Sequence, residues 1–347
     1  MDELNMSQNT GNRDSNFDDN AECKKTSMNN HVNNKKSQNI SKIDIIMATY
    51  NGETYLKEQI DSILENTFTD WTLTICDDGS KDRTIPIVKE YEEKYKGKII
   101  LHQNEKNLGV KLNFFEGMKR SKADYIMFCD QDDVWKKDKI QITYDKMLEL
   151  EKKQKKEIPL AVFTDANIVD EKLELLKESF FEAGALDTKK IDLAHILMEN
   201  KLIGCTLMIN KSVANRFNTL PTHVRMHDWW IAILVSSFGV IEFLNQKTLL
   251  YRQHGENVIG GNQNFFTYFK SRISSLKKQK QVLLLTQKQA ECFYQIYQKE
   301  LSPHSKQLIY DFANLHKMNF IKRRYLLFKH RYFKTGFIRN IGVFILI

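Results

Sequence analysis

Residues 125–135 read YIMFCDQDDVW: an unbroken apolar run, Tyr125 to Cys129, closed at once by Asp130, Gln131, Asp132 and Asp133. Five successive apolar residues before a polar turn predict a strand buried on both faces, as in a parallel sheet. Three carboxylates in four positions repel one another, and desolvating them beside such a strand is costly unless a positive charge offsets them. The same grammar recurs upstream. IDIIMATY (43–50) runs into Asn51, WTLTICDD (71–78) runs into Gly79-Ser80, and IILHQN (99–104) is a third short apolar run.

Amphipathic segments separate these runs. In ETYLKEQIDSILEN (53–66), Leu56, Ile60, Ile63 and Leu64 share one helical face. Further helices are expected at DRTIPIVKEYEEKY (82–95), at 110–120 and at 137–153. Beyond Pro159, LAVFTDANIVD (160–170) reads as another strand, and WWIAILVSSFGVIEFL (229–244) as a buried helix followed by a strand. Strands alternating with helices imply an α/β fold with a doubly wound, mainly parallel sheet flanked by helices. Such sheets bind ligands outside the carboxyl ends of their strands. Thr49-Tyr50-Asn51, Asp77-Asp78-Gly79-Ser80 and Asp130-Gln131-Asp132-Asp133 would therefore meet on one rim. A lone Asp there often caps a helix or makes an Asx-turn, but capping needs one acid, not three in four residues.

Closely spaced carboxylates suit a hard divalent cation, Mg²⁺ or Mn²⁺, held together with a phosphate-bearing substrate. No GxxxxGK[ST] loop and no GxGxxG after the first strand is present, which disfavours P-loop nucleotidases and dinucleotide dehydrogenases. His254 could ligate the metal or contact the diphosphate, and Arg252 beside it could help hold anionic phosphate. Trp135, Trp229 and Trp230 could stack on sugar faces, although core packing is the commoner fate of such rings.

The net charge of +8 is uneven. Residues 262–347 carry 16 Lys and Arg against 3 Asp and Glu, which leaves 36 against 41 for everything before them. This basic quarter interleaves Lys and Arg with aromatics and ends in GVFILI, as expected of helices at an anionic membrane surface rather than in a nucleic-acid groove. The alternative is a helical appendage packed on the catalytic domain. Five scattered cysteines without CxxC spacing argue against a disulfide framework or zinc site and fit a reducing compartment. Residues 1–41, rich in Asn, Ser, Asp and Lys, read as a disordered tail without a signal-peptide core. No run of 18 uncharged apolar residues exists to span a bilayer.

ATYNGETYLKEQIDSIL, CDDGSKDRT and NEKNLGVKLNFFEGMKRSKADYIMFCDQDDVW together resemble the nucleotide-sugar-binding half of the family 2 glycosyltransferases, which have the GT-A fold. HDWW (227–230) and YRQHGEN (251–257) resemble later motifs of the branch that includes bacterial rhamnosyltransferases. The resemblance implies a catalytic domain over 42–261, followed by a basic helical extension over 262–347. It also implies that Thr49, Tyr50 and Glu53 line the base and ribose, and that Asp77 or Asp78 accepts the pyrimidine N3–H. Asp130 would lie near the ribose and Asp132 on the metal, as a DxD pair, with Asp133 at a helix start or behind the site. Lys111 and Asn113 become candidate donor contacts, and Asp228 the general base, unless it merely caps its helix.

The implied enzyme is an inverting, metal-dependent transferase of a dTDP- or UDP-linked sugar, with rhamnose as one candidate. Its acceptor would be a lipid-linked bacterial surface glycan, and its place cytoplasmic and peripheral at the inner face of the membrane, with no nucleic-acid partner. The family's QxxRW string is absent, which disfavours the processive synthases. Two rivals remain. A nucleotidyltransferase would want a Gly- and Lys/Arg-rich phosphate loop after the first strand, where only one Gly and no basic residue precedes Lys57. A receiver-like binding module would have no need of HDWW or YRQH.

Overall fold

The computed structural model describes residues 42–154, 157–217, 221–254 and 276–347. The expected tail at 1–41, the end of the YRQHGEN motif and the start of the basic extension lie outside these residues.

The first half alternates as its apolar runs require: β1 (Ile43–Thr49), α1 (Leu56–Leu64), β2 (Trp71–Asp77), α2 (Thr84–Lys94), β3 (Ile99–Gln103), α3 (Val110–Arg120) and β4 (Tyr125–Cys129). A two-residue β5 (Val134–Trp135) then precedes α4 (Lys139–Lys153). Asp133 therefore precedes a strand and does not start the helix; Asp138 stands at that N-cap. The second half holds β6 (Leu160–Val169), β7 (Leu175–Lys177), α5 (Phe180–Ala183), α6 (Leu193–Met198), β8 (Leu207–Asn210), α7 (Lys211–Ala214), α8 (His227–Phe238) and β9 (Val240–Arg252). Among the described residues four α-helices follow: α9 (Leu276–Tyr297), α10 (Pro303–Asn314), α11 (Phe320–His330) and α12 (Phe337–Leu346).

The strands form one sheet in the order β3-β2-β1-β4-β8-β6-β9-β5, with β7 on β6. β1 pairs in parallel with β2 and β4, β2 with β3, and β6 with β9. The four-residue β8, too short to leave a periodic signature, is antiparallel to both β4 and β6 and joins the two parallel blocks.

Period-two alternation sends successive side chains to opposite faces and so builds two cores. Ile43, Ile45 and Met47 face α1, α2 and α4, where Ile60, Val88 and Met147 are fully buried. Ile46 faces α3 and α8, with Phe114, Phe115, Trp230 and Ile233. The described C-terminal helices complete this second core: Phe293, Ile309, Phe312 and Tyr332 are fully buried in it. Trp135 and Trp230 are core residues, 3% and 0% exposed. Trp229 is half-buried, its indole N–H donating to Ile196 O at 2.7 Å.

Candidate active site

Parallel register sets the rim. Thr49 pairs with Asp77 and Met47 with Cys129, so Asp130 leaves the sheet beside the end of β1. The adjacent acids Asp77 and Asp78 do different things. Asp77 accepts the Gly79 and Ser80 N–H groups (3.1 and 3.0 Å) and the hydroxyls of Thr49 (3.1 Å) and Ser80 (2.5 Å). Four donors make it the organiser of its turn. Asp78 accepts from Leu108 N and Gly109 N, both at 2.7 Å, and from Asn104 Nδ2 at 3.0 Å. It thereby holds loop 104–109, and of the two it is Asp78 that lines the cavity described below. Asn113, also on the cavity wall, accepts from Asn104 and donates to Cys76 O at 2.7 Å.

Loops from opposite ends of the sequence motif are clasped together. Gln131 Oε1 accepts the Tyr50 N–H at 2.9 Å, and its Nε2 donates to Tyr50 O at 3.2 Å. A Cβ on Gly52 would stand 2.3 Å from that Oε1, so only glycine allows the clasp. Glu53 and Lys111 are occupied elsewhere. Glu53 accepts Arg83 N (2.8 Å) while Asp82 accepts Glu53 N (3.0 Å), which fastens the loop to the start of α2. Lys111 Nζ donates to Val224 O at 3.1 Å.

Thr49, Tyr50, Asp130, Asp132, Asp228 and His254 share one cavity of about 610 Å³ with Asp78 and Asn113. His254 Nε2 lies 2.9 Å from Asp132 Oδ2, and its ring packs on Tyr55 with centroids 4.9 Å apart. Burial, then the charges of Asp132 and Asp228, push the Asp130 carboxyl up to about 7. Asp133 lies behind this wall, 1% exposed, where burial raises its carboxyl well above the usual range. Burial pushes the ammonium of Lys139 down to about 8, and the Asp133 carboxylate partly opposes that shift. A second cleft of about 660 Å³ opens beside α6, α10 and α11, but its one carboxylate, Asp192, already pairs with His195 at 2.6 Å.

Arg252 is not on the cavity wall. Its guanidinium donates to Asp132 O (2.8 Å), Glu171 O (2.6 Å) and Glu58 (2.5 Å), stacks on Tyr55, and its backbone N–H donates to Asp133 at 3.1 Å. Instead of reaching toward a phosphate it clamps the acidic loop from beneath.

Asp228 sits in the first turn of α8, with Met226 at the N-cap. Its carboxylate accepts from Trp229 N (2.5 Å), Asn200 Nδ2 (3.0 Å) and Gly204 N (3.1 Å). Burial pushes it up to about 7 against these donors. Its neighbour His227 is 2% exposed and stacked on Phe114 at 4.0 Å. Among the described residues neither ring nitrogen of His227 finds a hydrogen-bond partner, and burial pushes the imidazole down to about 3, so it stays neutral. Asn200 and Gly204 carry no signal in the sequence, since Asn200 lies in a loop and Gly204 opens a single 3-10 turn, both without periodicity; Gln131 and His227 stand inside the quoted motifs but have no role that their neighbours in sequence define.

The donor set on the cavity wall fits a hard divalent ion: carboxylate oxygens from Asp130 and Asp132 beside the imidazole of His254, with His227 also on the wall and no thiol among the described lining residues. Cys205, close to Asp130 and Asp133, lies behind the wall as a protonated thiol, raised well above its ordinary value by burial.

Residues 44–154 match the profile described as Glycosyl transferase family 2. The chain is 32% identical over 232 residues to dTDP-rhamnosyl transferase RfbG of Shigella flexneri, covering 65% of this chain and 77% of that protein. It is 26% identical over 193 residues to the UDP-Glc:alpha-D-GlcNAc-diphosphoundecaprenol beta-1,3-glucosyltransferase WfgD of Escherichia coli, covering 55% and 69%. Among solved structures, TarS 1–349 of S. aureus in complex with UDP-GlcNAc superposes with a TM-score of 0.54 at 17% identity, covering 79% and 72%.

Proposed function

Because the chain belongs to the family 2 glycosyltransferases, we propose that it moves a sugar from a nucleoside diphosphate donor to a growing, lipid-linked surface polysaccharide at the cytoplasmic face of the membrane. The donor of choice is dTDP-rhamnose, for which the similarity to RfbG speaks; the lipid diphosphate in the name of WfgD favours a lipid-linked acceptor. The observation that carries the reading is the gathering of Asp78, Asp130, Asp132, His254 and Asp228 around one cavity beside the carboxyl ends of β1, β2 and β4.

In this reading Asp78 accepts the pyrimidine N3–H, Thr49 and Tyr50 flank base and ribose, and Asp130 meets the ribose. Asp132 and His254 would hold Mn²⁺ or Mg²⁺, which supplies charge stabilisation to a departing diphosphate. Asp228 takes the proton of the acceptor hydroxyl as that oxygen bonds to the anomeric carbon. The bond from carbon to the donor phosphate oxygen breaks, its electron pair leaving with the nucleoside diphosphate. A single displacement inverts the anomeric centre. A carboxyl poised near 7 suits a base that must be ionised yet still attract a proton. Glu53, Lys111 and Arg252 act as scaffold.

The test is nucleoside diphosphate release from dTDP-rhamnose, with UDP-sugars in parallel, in the presence of Mn²⁺ or Mg²⁺ and a lipid-linked acceptor. Release from none of these donors would sink the proposal.

A further inference from the structure

The outer faces of α11 and α12 break the usual burial rule. On α11, Ile321, Tyr325 and Phe328 follow one another at helical spacing and are 79%, 61% and 62% exposed. On α12, Phe337, Ile341 and Phe344 do the same at 81%, 45% and 42%. The opposite faces are anchored inward, with Leu326, Leu327 and Val343 buried. The two exposed faces are joined into one ridge: Phe328 packs edge-on against Phe344, and Arg324 stacks on Phe320 and donates to Phe344 O at 2.9 Å. Singly exposed apolar residues need no explanation, but a contiguous ridge does.

Charge identifies what covers it. Residues 312–347 hold eight Lys and Arg and not one Asp or Glu. An apolar ridge whose own helices carry cations and no acid matches a bilayer with anionic headgroups, with long basic side chains such as Lys322 and Lys329 reaching the phosphates. A second copy of the chain would bring the same cations face to face. Neither helix is long or apolar enough to cross the membrane.

We infer that the ridge formed by α11 and α12 is a docking surface for an anionic lipid bilayer, into which Ile321, Phe328, Phe337 and Phe344 insert. The inference deepens the membrane-face reading above and rests on it. The ridge is also fastened to the catalytic base. Glu199 accepts from Thr335 N (2.9 Å) and Arg339 (3.1 Å), and Lys201 Nζ donates to Thr335 Oγ1 at 2.6 Å. Between them, Asn200 holds Asp228. Docking the ridge therefore fixes the acceptor side of the cavity relative to the lipid surface.

Co-sedimentation of the full chain with vesicles tests this, comparing phosphatidylglycerol-containing with pure phosphatidylcholine vesicles. Binding is expected to the anionic vesicles only, and to weaken with salt. Ile321→Ser with Phe337→Ser, and separately Lys322→Glu with Lys329→Glu, should each weaken it at least roughly tenfold. These side chains are exposed, so thermal unfolding and binding of dTDP are expected to stay unchanged. Equal binding to both vesicle types, or variants that sediment like the parent, overturns the inference. So does a dimer dissolved by Ile321→Ser with Phe337→Ser in a chain that binds no vesicles. Absent vesicle binding with intact dTDP binding leaves the transferase reading standing; absent dTDP binding with intact vesicle binding does the reverse.

Discussion

Asn200 Nδ2 donates to Asp228 Oδ1 at 3.0 Å and so stabilises the ionised form of a carboxylate that burial disfavours. A base is active only when deprotonated, so kcat/KM should rise with pH through about 7, where the Asp130 and Asp228 carboxyls titrate. Asn200→Ala removes a donor to the anion and should move the midpoint of the Asp228 step to higher pH. A pH–rate profile of both proteins checks this; an unmoved or lowered midpoint contradicts it. The stability sign is opposite. A carboxyl raised in the folded state favours folding while protonated, and that contribution is lost as pH rises from the ordinary carboxylate range through about 7.

Asp228→Asn keeps the volume and loses the base. The rate of nucleoside diphosphate release should fall by about 10²–10⁴ while dTDP affinity stays within about twofold. Retained turnover would remove Asp228 from the chemistry.

Asp132→Asn should weaken Mn²⁺-dependent dTDP binding by at least about tenfold, leaving the metal-independent component in place. Calorimetric titration with and without Mn²⁺ separates the two, and an unchanged Mn²⁺ response would contradict the assignment.

Arg252→Ala strips the acidic loop of its clamp and empties the space of a 1%-exposed side chain. A loss of about 1–3 kcal/mol in unfolding free energy is expected, together with weaker donor binding. If stability is unchanged and only affinity drops, Arg252 contacts phosphate after all.

Gly204→Ala would place a Cβ 2.6 Å from His227 Nε2. Overpacking there should cost about 1–3 kcal/mol and displace the residue beside the base, lowering kcat more than dTDP affinity. A variant with parental kcat shows that His227 can yield freely.

Much of the donor half was legible because three strands buried on both faces, β1, β2 and β4, leave mainly apolar runs, and their ends dictate where the polar loops meet. Strand alternation also says that Asp77 and Asp78 face opposite ways. It does not say which faces the cavity; donors from loop 104–109, remote in sequence, decide that. Arg252 could not be aimed from its neighbours, since Glu58, Asp132 and Glu171 come from three separate segments. The Asn200–Gly204 cradle was hidden for the same reason, and β8 because four residues carry no period.

The stretch Glu199-Asn200-Lys201 serves Asp228 with its middle residue and the last helix region with its outer two. Anyone expressing this protein should heed that geometry. A deletion after His330 would remove Thr335 and Arg339, leave Glu199 and the 1%-exposed Lys201 with their mutual ion pair but without their partners from the last helices, and disturb a carboxylate more than 100 positions upstream. Affinity tags belong at the amino end, and an inactive truncate would report a slackened tether rather than a missing catalytic group.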